Sequence, residues 1–112
     1  MIGKPGDTLV EIHWIANPFR AEKLREAMLP AAELVLEYGA TGWAFIRSKE
    51  DPQHFIQLGL FASTTDFERY WYSDEMSELR VNATGLFQVP ILPVWLTVEG
   101  NGAIVPEEVE AS

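Results

Sequence analysis

The alternation of apolar and polar residues is clearest near the start of the chain, in residues 8–16. Successive side chains of a β-strand point to opposite faces of a sheet, so this segment predicts a strand with one apolar and one mixed face. The apolar face would carry Val10, Ile12, Trp14 and Ala16, and the mixed face Leu9, Glu11, His13 and Ile15.

Apolar side chains then recur every three or four residues, which predicts a helix from about Pro18 to Tyr38. Asn17 suits the N-cap of this helix, and Pro18 suits its first helical position. Pro30 cannot donate a backbone hydrogen bond inside the segment, so a kink or two helical pieces are expected. Gly39 is expected to end the helix.

Three further strands are predicted along the rest of the chain. Residues 41–48 and 54–62 are separated by a short turn and are expected to pair as an antiparallel hairpin. The last strand, residues 89–98, is almost wholly apolar. Pro90 and Pro93 remove two of its amide donors, which places it at a sheet edge or a bulge.

A second helix is predicted between the third and fourth strands. Thr65 and Glu68 have the spacing of a capping box, so the helix should begin at Asp66 and extend to about residue 73. Ser73 could cap a following helical piece that reaches about Val81.

The resulting order, β-α-β-β-α-β, is that of an α+β ferredoxin-like domain. In this arrangement two helices cover one face of a four-stranded antiparallel sheet. A chain of 112 residues fits one domain. We place that domain at residues 8–98, between an N-terminal lead (residues 1–7) and an acidic flexible tail (residues 99–112).

The second face of the predicted sheet is unusually apolar. Strands two and four carry apolar side chains on both sides, although a sheet with one wet face should alternate apolar and polar residues. Monomers rarely expose an apolar patch of more than a few hundred Å². A second copy of the sheet is the simplest cover, and the pattern therefore predicts a homodimer.

Composition narrows the possible partners and cofactors. The chain has no cysteine, which removes disulfides, thiolate chemistry and iron–sulfur clusters. A net charge of −9 and eight scattered bases argue against nucleic acid as a partner. No apolar run approaches the ~20 residues that span a bilayer, and the start lacks a signal peptide, so we expect a cytoplasmic protein without membrane contact. Its two histidines and scattered acids show no metal-ligand spacing, and no metal or other cofactor is expected.

The segment from Phe67 to Glu75, FERYWYSDE, is an aromatic-rich helix followed by serine and acidic residues. Together with the element order and the Asn17-Pro18 exit from the first strand, it resembles the antibiotic-biosynthesis-monooxygenase-like proteins of the dimeric α+β barrel superfamily. The resemblance covers about residues 8–98. It implies a barrel-forming homodimer, with a pocket between each sheet and its own helices.

That superfamily includes cofactor-independent monooxygenases, haem-degrading enzymes and stress-responsive proteins. The haem-degrading branch carries a haem-ligating histidine on the second helix, where this chain has Arg80. Arginine stays protonated and is not a normal axial ligand, which disfavours haem degradation.

Seven residues are candidates for a functional site. His13 or His54 could act as a catalytic base, since histidine titrates near neutral pH. An isolated histidine such as His13 is more often a satisfied polar residue of the sheet or dimer interface, and His54, just after a turn, is expected to be more exposed. The resemblance implies that a planar ligand would be bound by residues of the first strand and the second helix. Aromatic side chains in such positions also serve as ordinary core. The candidates for substrate binding are Trp14, Tyr70, Trp71, Arg80 and Asn82.

Two functions are consistent with these residues. The first, implied by the resemblance, is a cofactor-independent monooxygenase that acts on a planar phenolic or quinol-type small molecule. The second is a non-catalytic dimeric module that binds a small aromatic or apolar molecule or another protein, with the acidic tail as a contact segment. The second is favoured by the absence of any activated nucleophile motif in the sequence.

Overall fold

The computed structural model describes residues 3–104, and the predicted α+β ferredoxin-like fold is confirmed. Four strands form one antiparallel sheet in the order β2-β3-β1-β4, so β4 is an edge strand as predicted. The elements in chain order are β1 (Thr8–Ile15), α1 (Ala21–Glu33), a 3-10 helix (Leu34–Tyr38), β2 (Ala40–Arg47), β3 (His54–Phe61), α2 (Thr64–Trp71), α3 (Asp74–Asn82) and β4 (Val94–Thr97).

The first helix begins later than its sequence suggests. Phe19 has a φ of 65°, in the left-handed region, so the chain cannot be helical at Pro18 and α1 begins at Ala21. Asn17 is therefore not its N-cap. The Asn17 amide instead donates to the backbone carbonyl oxygen of Gly85 at 2.7 Å, which ties the end of β1 to a distant loop.

The end of the first helical region matches the expectation of two pieces. Pro30 lies inside α1, and from Leu34 onwards the chain tightens into the 3-10 helix. Gly39 follows with a φ of 95°, a left-handed conformation that glycine adopts without steric cost, and it ends the segment as predicted.

The second helical region begins two residues earlier than the capping-box pattern indicates. Ser63, not Thr65, is the N-cap of α2, and its hydroxyl accepts from the backbone N–H of Asp66. Ser73 caps α3 by accepting from the N–H of Met76, as predicted. The last strand is shorter than residues 89–98, because β4 forms only after Pro93, where amide donors become available.

The core lies between the sheet and the helices. Apolar side chains of β1 and β3 pack there against α1, α2 and α3. The fully buried members include Trp14, Ile12, Phe55, Leu24, Met28, Phe67, Tyr70 and Met76. Since β1 alternates as predicted, every second residue of this strand points the other way.

Within residues 3–104, no helix packs against the opposite side of the sheet, which we call the open face. From β1 it carries Leu9, Glu11, His13 and Ile15, and cross-strand pairing adds residues of the neighbouring strands to the same face. These are Ala44 and Ile46 of β2, His54, Ile56 and Leu58 of β3, and Val94 and Leu96 of β4.

The domain limits at residues 8–98 stay a prediction, although two observations bear on them. The backbone N–H of Gly6 donates to the carbonyl of Val98, and that of Val98 to the carbonyl of Asp7, so pairing continues just beyond β1 and β4. Residues 99–104 have no regular structure, and the remainder of the predicted acidic tail lies outside the described residues.

Candidate functional site

The two histidines meet on the open face. His13 Nδ1 lies 2.7 Å from His54 Nε2, and His13 Nε2 lies 3.0 Å from the Glu11 carboxylate. Glu11 and His13 share a face because they are two residues apart on β1, and β3 brings His54 opposite Ile15, next to them. The three side chains form a continuous hydrogen-bonded chain, which we call the relay.

The order of groups in the relay has a chemical consequence. A carboxylate only accepts hydrogen bonds, so His13 Nε2 carries the proton of the bond to Glu11. The carboxylate then fixes the ring of His13, which in turn contacts His54. A base oriented by a third group is the arrangement that makes an imidazole effective in proton transfer. The relay is partly open to water, with 42% of the His13 side chain and 28% of the Glu11 side chain exposed.

The helix side of the sheet holds a second polar chain, which is buried. Trp14 Nε1 donates to Gln57 Oε1 at 3.0 Å, and Gln57 Nε2 donates to the Tyr70 hydroxyl at 2.9 Å. That hydroxyl donates to the backbone carbonyl of Ala31 at 2.7 Å. Burial raises the pKa of Tyr70 to about 12, against opposing effects of the Gln57 hydrogen bond and the nearby Arg80 charge. Tyr70 is therefore a neutral structural donor at physiological pH.

Arg80 lies against Trp71 on the same side of the sheet. Its guanidinium carbon is 4.5 Å from the centre of the Trp71 ring, and Nη2 donates to the Trp71 carbonyl at 2.8 Å. Partial burial lowers the pKa of Arg80, but a guanidinium remains charged at any physiological pH. Its Nη1 is buried and has no hydrogen-bond partner within residues 3–104, so one donor of this cation is unpaired there.

An aromatic cleft of about 240 Å³ separates α2 from β4. Trp71 and Phe67 are stacked at 5.8 Å with an interplanar angle of 22°, and Trp95 meets Phe67 edge-on at 5.9 Å. Glu68 and Tyr72 add polar groups to the lining. Drug-sized ligands occupy about 300–1,000 Å³, so the cleft suits a molecule of one or two rings.

A larger cavity of about 420 Å³ lies at the far end of the open face. Leu9, Leu60 and Leu96 form its apolar part, and Glu99 and Asn101 supply polar groups. The cavity is about four residues along β1 from His13, or roughly 13 Å at the usual rise of a strand.

The structure separates the predicted site residues into two groups. His13 and His54 are hydrogen-bonded together on the open face, whereas Tyr70, Trp71 and Arg80 lie on the helix side. Trp14 is fully buried and packs in the core. Asn82 is exposed at the last position of α3. The sheet lies between the two groups, so His13 and His54 do not line the same space as Tyr70, Trp71 and Arg80, and the assignment of these residues to a functional site stays a prediction.

Sequence reasoning missed Glu11, Gln57 and the lining residues Glu68 and Trp95. Glu11 could have been found, because it shares the mixed face of β1 with His13. Gln57 is the polar residue at a core-facing position of an otherwise apolar strand, which is a signal for a buried hydrogen bond. Trp95 gives no such signal, since it reaches α2 only through the pairing of β4 with β1.

Residues 3–104 contain no group of three or more histidine, cysteine or acidic side chains that is placed to hold a metal ion. None of the helices in that part of the chain is both long enough and apolar enough to cross a bilayer.

Comparison by sequence finds no matching family model and no similar curated protein. Comparison by structure gives many matches. A Nitrosomonas europaea protein assigned as an antibiotic biosynthesis monooxygenase superposes with a TM-score of 0.76 at 13% identity, over 88% of this chain and 95% of its own. A Bordetella bronchiseptica protein of the same assignment gives 0.72 at 19% identity, over 83% and 97%.

A variant of SnoaB, a cofactor-independent oxygenase from Streptomyces nogalater, gives a TM-score of 0.71 at 9% identity, over 86% of this chain and 96% of SnoaB. The chain has the antibiotic-biosynthesis-monooxygenase-like fold. This confirms the resemblance inferred from the FERYWYSDE helix. At identities this low, the shared feature is the monooxygenase-like fold, and activity has to be argued from the residues themselves.

Proposed function

We propose that the protein is a cofactor-independent monooxygenase that oxidises a planar phenolic or quinol-type small molecule. The observation that carries this proposal is the aromatic cleft beside Arg80, whose Nη1 is a buried cationic donor without a partner within residues 3–104. The fold is shared with SnoaB, a cofactor-independent oxygenase, which supports the same class of chemistry.

The proposed reaction needs only substrate, oxygen and a proton acceptor. A base removes a proton from the substrate, and the resulting anion transfers an electron to O₂. Recombination forms a carbon–oxygen bond as a hydroperoxide, and loss of water leaves a ketone or quinone, so that a CH₂ group and O₂ become a C=O group and H₂O. The protein contributes an aromatic cleft that positions the substrate and a fixed positive charge near the anion.

The positive charge is that of Arg80, held against the wall of the cleft. Arg80 does not itself line the cleft, but it contacts Trp71, which does. In a desolvated setting, a fixed cation stabilises a developing phenolate far more than it would in water. Trp71 and Phe67 would position the substrate ring by stacking.

Two groups are proposed as the base. Glu68 lines the cleft and can accept the proton directly. The sequence-based assignment of His54 or His13 requires the substrate to lie on the open face, where His54 ends the relay. Substituting Glu68→Gln and His54→Gln in parallel separates these two arrangements, because only one variant should lose oxygen uptake.

The protein is also proposed to act as a homodimer. The exposed apolar side chains of the open face, among them Ile46, Val94 and Leu96 with 40–47% of their surface accessible, support a second copy as the cover. A two-fold contact between identical faces would also enclose the larger cavity and the relay.

The first experiment measures oxygen uptake with a panel of anthrones and quinols. We expect turnover by the native protein and a loss of about 100-fold in kcat/KM for Arg80→Met, the usual effect of removing one anion stabiliser. Arg69→Met is the matched control, since Arg69 is an exposed cation of α2 that pairs with Asp66. It should change the rate by no more than about twofold, as expected of a surface substitution. The monooxygenase proposal is contradicted if no panel member is oxidised faster than with heat-denatured protein.

A second function is favoured by the larger cavity. Its apolar lining and its lack of histidine suit the binding of a small apolar molecule without catalysis. Under this alternative, an apolar ligand would bind without oxygen uptake, and Leu96→Asn would weaken its binding while Trp71→Leu would not. Intrinsic fluorescence titration with the same panel distinguishes the two functions.

A further inference from the structure

We infer that the aromatic cleft between α2 and β4 binds a small organic cation, whose alkylated ammonium group is held by the Trp95 and Tyr72 rings and the Glu68 carboxylate. This goes beyond the proposed oxidation, because binding an ammonium group needs neither oxygen nor a proton acceptor. The cation and the oxidisable substrate compete for one space and for the same ionised carboxylate, so the cleft has a second class of ligand.

Two rings of the cleft have free surface for a ligand. Trp95 is 45% exposed and Tyr72 is 74% exposed, and both line the cleft. Phe67, in contrast, is buried, and its ring meets that of Trp95 at 78°, so the cleft has walls in two orientations. Indole attracts a cation more strongly than other rings, and enclosure by several rings is how proteins recognise quaternary ammonium groups. The walls of the cleft therefore suit an ammonium group.

The protein places its own cations against other rings but not against these two. The guanidinium carbon of Arg80 lies 4.5 Å from the centre of the Trp71 ring. Two further arginines contact rings elsewhere in the fold. Within residues 3–104, none of these contacts uses Trp95 or Tyr72, so both rings stay available to a cation from outside the chain.

Glu68 supplies the negative charge that such a ligand needs. Among the cleft-lining residues of the described chain it is the only one that carries a charge, and it is exposed on α2. Its carboxylate makes no ion pair within residues 3–104, whereas the adjacent Arg69 is held by Asp66 at 3.0 Å. A bound ammonium group therefore exchanges part of its water shell for the rings and for a carboxylate that is otherwise unpaired there.

Arg80 opposes the binding of a cation. Its guanidinium lies against Trp71, which lines the cleft, although Arg80 itself is not a lining residue. Like charges repel, so Arg80 weakens the binding of an ammonium group, whereas the proposed oxidation uses the same charge to stabilise an anion. The net charge of −9 acts in the other direction, because an acidic protein attracts cations at long range. The substitution Arg80→Met should thus have opposite effects on the two classes of ligand.

The size of the cleft restricts the ligand to a small molecule. Its volume is about 240 Å³, below the roughly 300–1,000 Å³ of sites for drug-sized ligands. A trimethylammonium group with a short chain or one ring is within this limit. A net charge of −9 also repels the anionic surface of a membrane, so the source is a free molecule rather than a lipid headgroup.

The test compares two soluble ligands of the same shape, choline and 3,3-dimethylbutan-1-ol, in which carbon replaces the charged nitrogen. Titration of the full chain at one ionic strength, followed by the proton NMR shift of the ligand methyl groups, gives both dissociation constants. We expect choline to bind about tenfold more tightly, with its methyl signal moved upfield by the ring faces. Vesicles of phosphatidylcholine should not pellet the protein.

Four variants locate the ammonium group, and circular dichroism verifies that each is folded. Glu68→Gln should weaken choline binding about tenfold, and Trp95→Leu should do so by a similar factor. Glu26→Gln removes the same charge from α1, outside the cleft, and should change the dissociation constant by no more than about twofold. Arg80→Met should tighten choline binding by about threefold, although it lowers oxygen uptake.

Three outcomes would overturn the inference: equal affinities for choline and the neutral alcohol, choline binding that neither Glu68→Gln nor Trp95→Leu weakens, and weaker choline binding in Arg80→Met. Pelleting with the vesicles would overturn the assignment to a free molecule. The proposed oxidation is judged separately, because the titration contains no oxidisable substrate. Oxygen uptake without selective choline binding would overturn only the inference, and selective choline binding without oxygen uptake would overturn only the monooxygenase.

Discussion

The two faces of the sheet are built from alternate residues of the same strands, yet they differ in almost every physical property. On the helix side, Trp14 is fully buried and its one polar atom is paired with Gln57. One residue earlier in the chain, His13 lies on the open face, with 42% of its side chain exposed and its hydrogen bonds made to two titratable groups. The helix side thus stabilises the fold, whereas the polar groups of the open face remain within reach of water.

The polar groups of the two faces also differ in how they are satisfied. The buried chain from Trp14 through Gln57 to Tyr70 uses its polar atoms to satisfy one another. The relay instead keeps polar groups that water can reach, and Arg80 keeps one donor without a partner within residues 3–104. Substitutions on the two faces should therefore have effects of very different size on folding.

The largest expected effect comes from truncating Trp14, which points to the helix side, whereas its neighbour His13 points to the open face. Trp14→Ala should cost about 3–5 kcal/mol of unfolding free energy, because it leaves a cavity in the core and orphans the acceptor of Gln57. This is a large part of the roughly 5–15 kcal/mol available to a domain. His13→Ala, the matched change on the open face, should cost about 1 kcal/mol or less. Urea denaturation of dilute protein, followed by circular dichroism, measures both.

Equal costs for the two substitutions would contradict the distinction between the faces. A small cost for both would show that Trp14 is not a core residue, and its assignment to substrate binding would then regain support. A large cost for both would show that the relay stabilises the fold.

A smaller effect is expected from Tyr70 in alkaline solution. An unfolded tyrosine releases its proton near pH 10, whereas burial raises the pKa of Tyr70 to about 12. Between these values the unfolded chain holds fewer protons than the folded one, so stability falls as the pH rises. The loss attributable to Tyr70 should reach about 2–3 kcal/mol by pH 12.

Tyr70→Phe provides the reference for this measurement. The variant should be less stable at pH 8, because the carbonyl of Ala31 and the amide of Gln57 lose a partner. Its stability should then fall less steeply above pH 10 than that of the native chain. Parallel curves from pH 8 to pH 12 would show that Tyr70 is not buried in its neutral form.

Much of the fold could be predicted because its strongest signals are local. The alternation along β1, the order of the elements and the position of Gly39 each depend on short stretches of chain. The homodimer stays a prediction, because the structure describes a single chain. The domain limits at residues 8–98 also stay a prediction.

The site could not be predicted to the same extent, because its geometry depends on contacts between distant segments. His54 joins His13 only through the register of β3 against β1, which places it opposite Ile15. Asn17 is an excellent N-cap by residue type, but its amide bonds to a carbonyl 68 residues away. No short-range pattern contains that information.

The smallest expected effect concerns the helix caps, which act on the helix side alone. Ser73 should be the stronger cap, since its hydroxyl accepts from Met76 at 3.2 Å and donates to the Tyr70 carbonyl at 2.7 Å. Ser73→Ala should therefore cost about 1 kcal/mol, the typical value for an N-cap. Ser63→Ala should cost less, because its bond to Asp66 is 3.4 Å long.

Thr65→Ala, at the residue that the capping-box pattern favours, should change stability by only a few tenths of a kcal/mol. Denaturation midpoints rank the three, and a larger loss for Thr65→Ala than for Ser63→Ala would restore the capping-box assignment. None of the three should alter the dissociation constant of the pair, because α2 and α3 pack on the side of the sheet that faces away from the proposed contact.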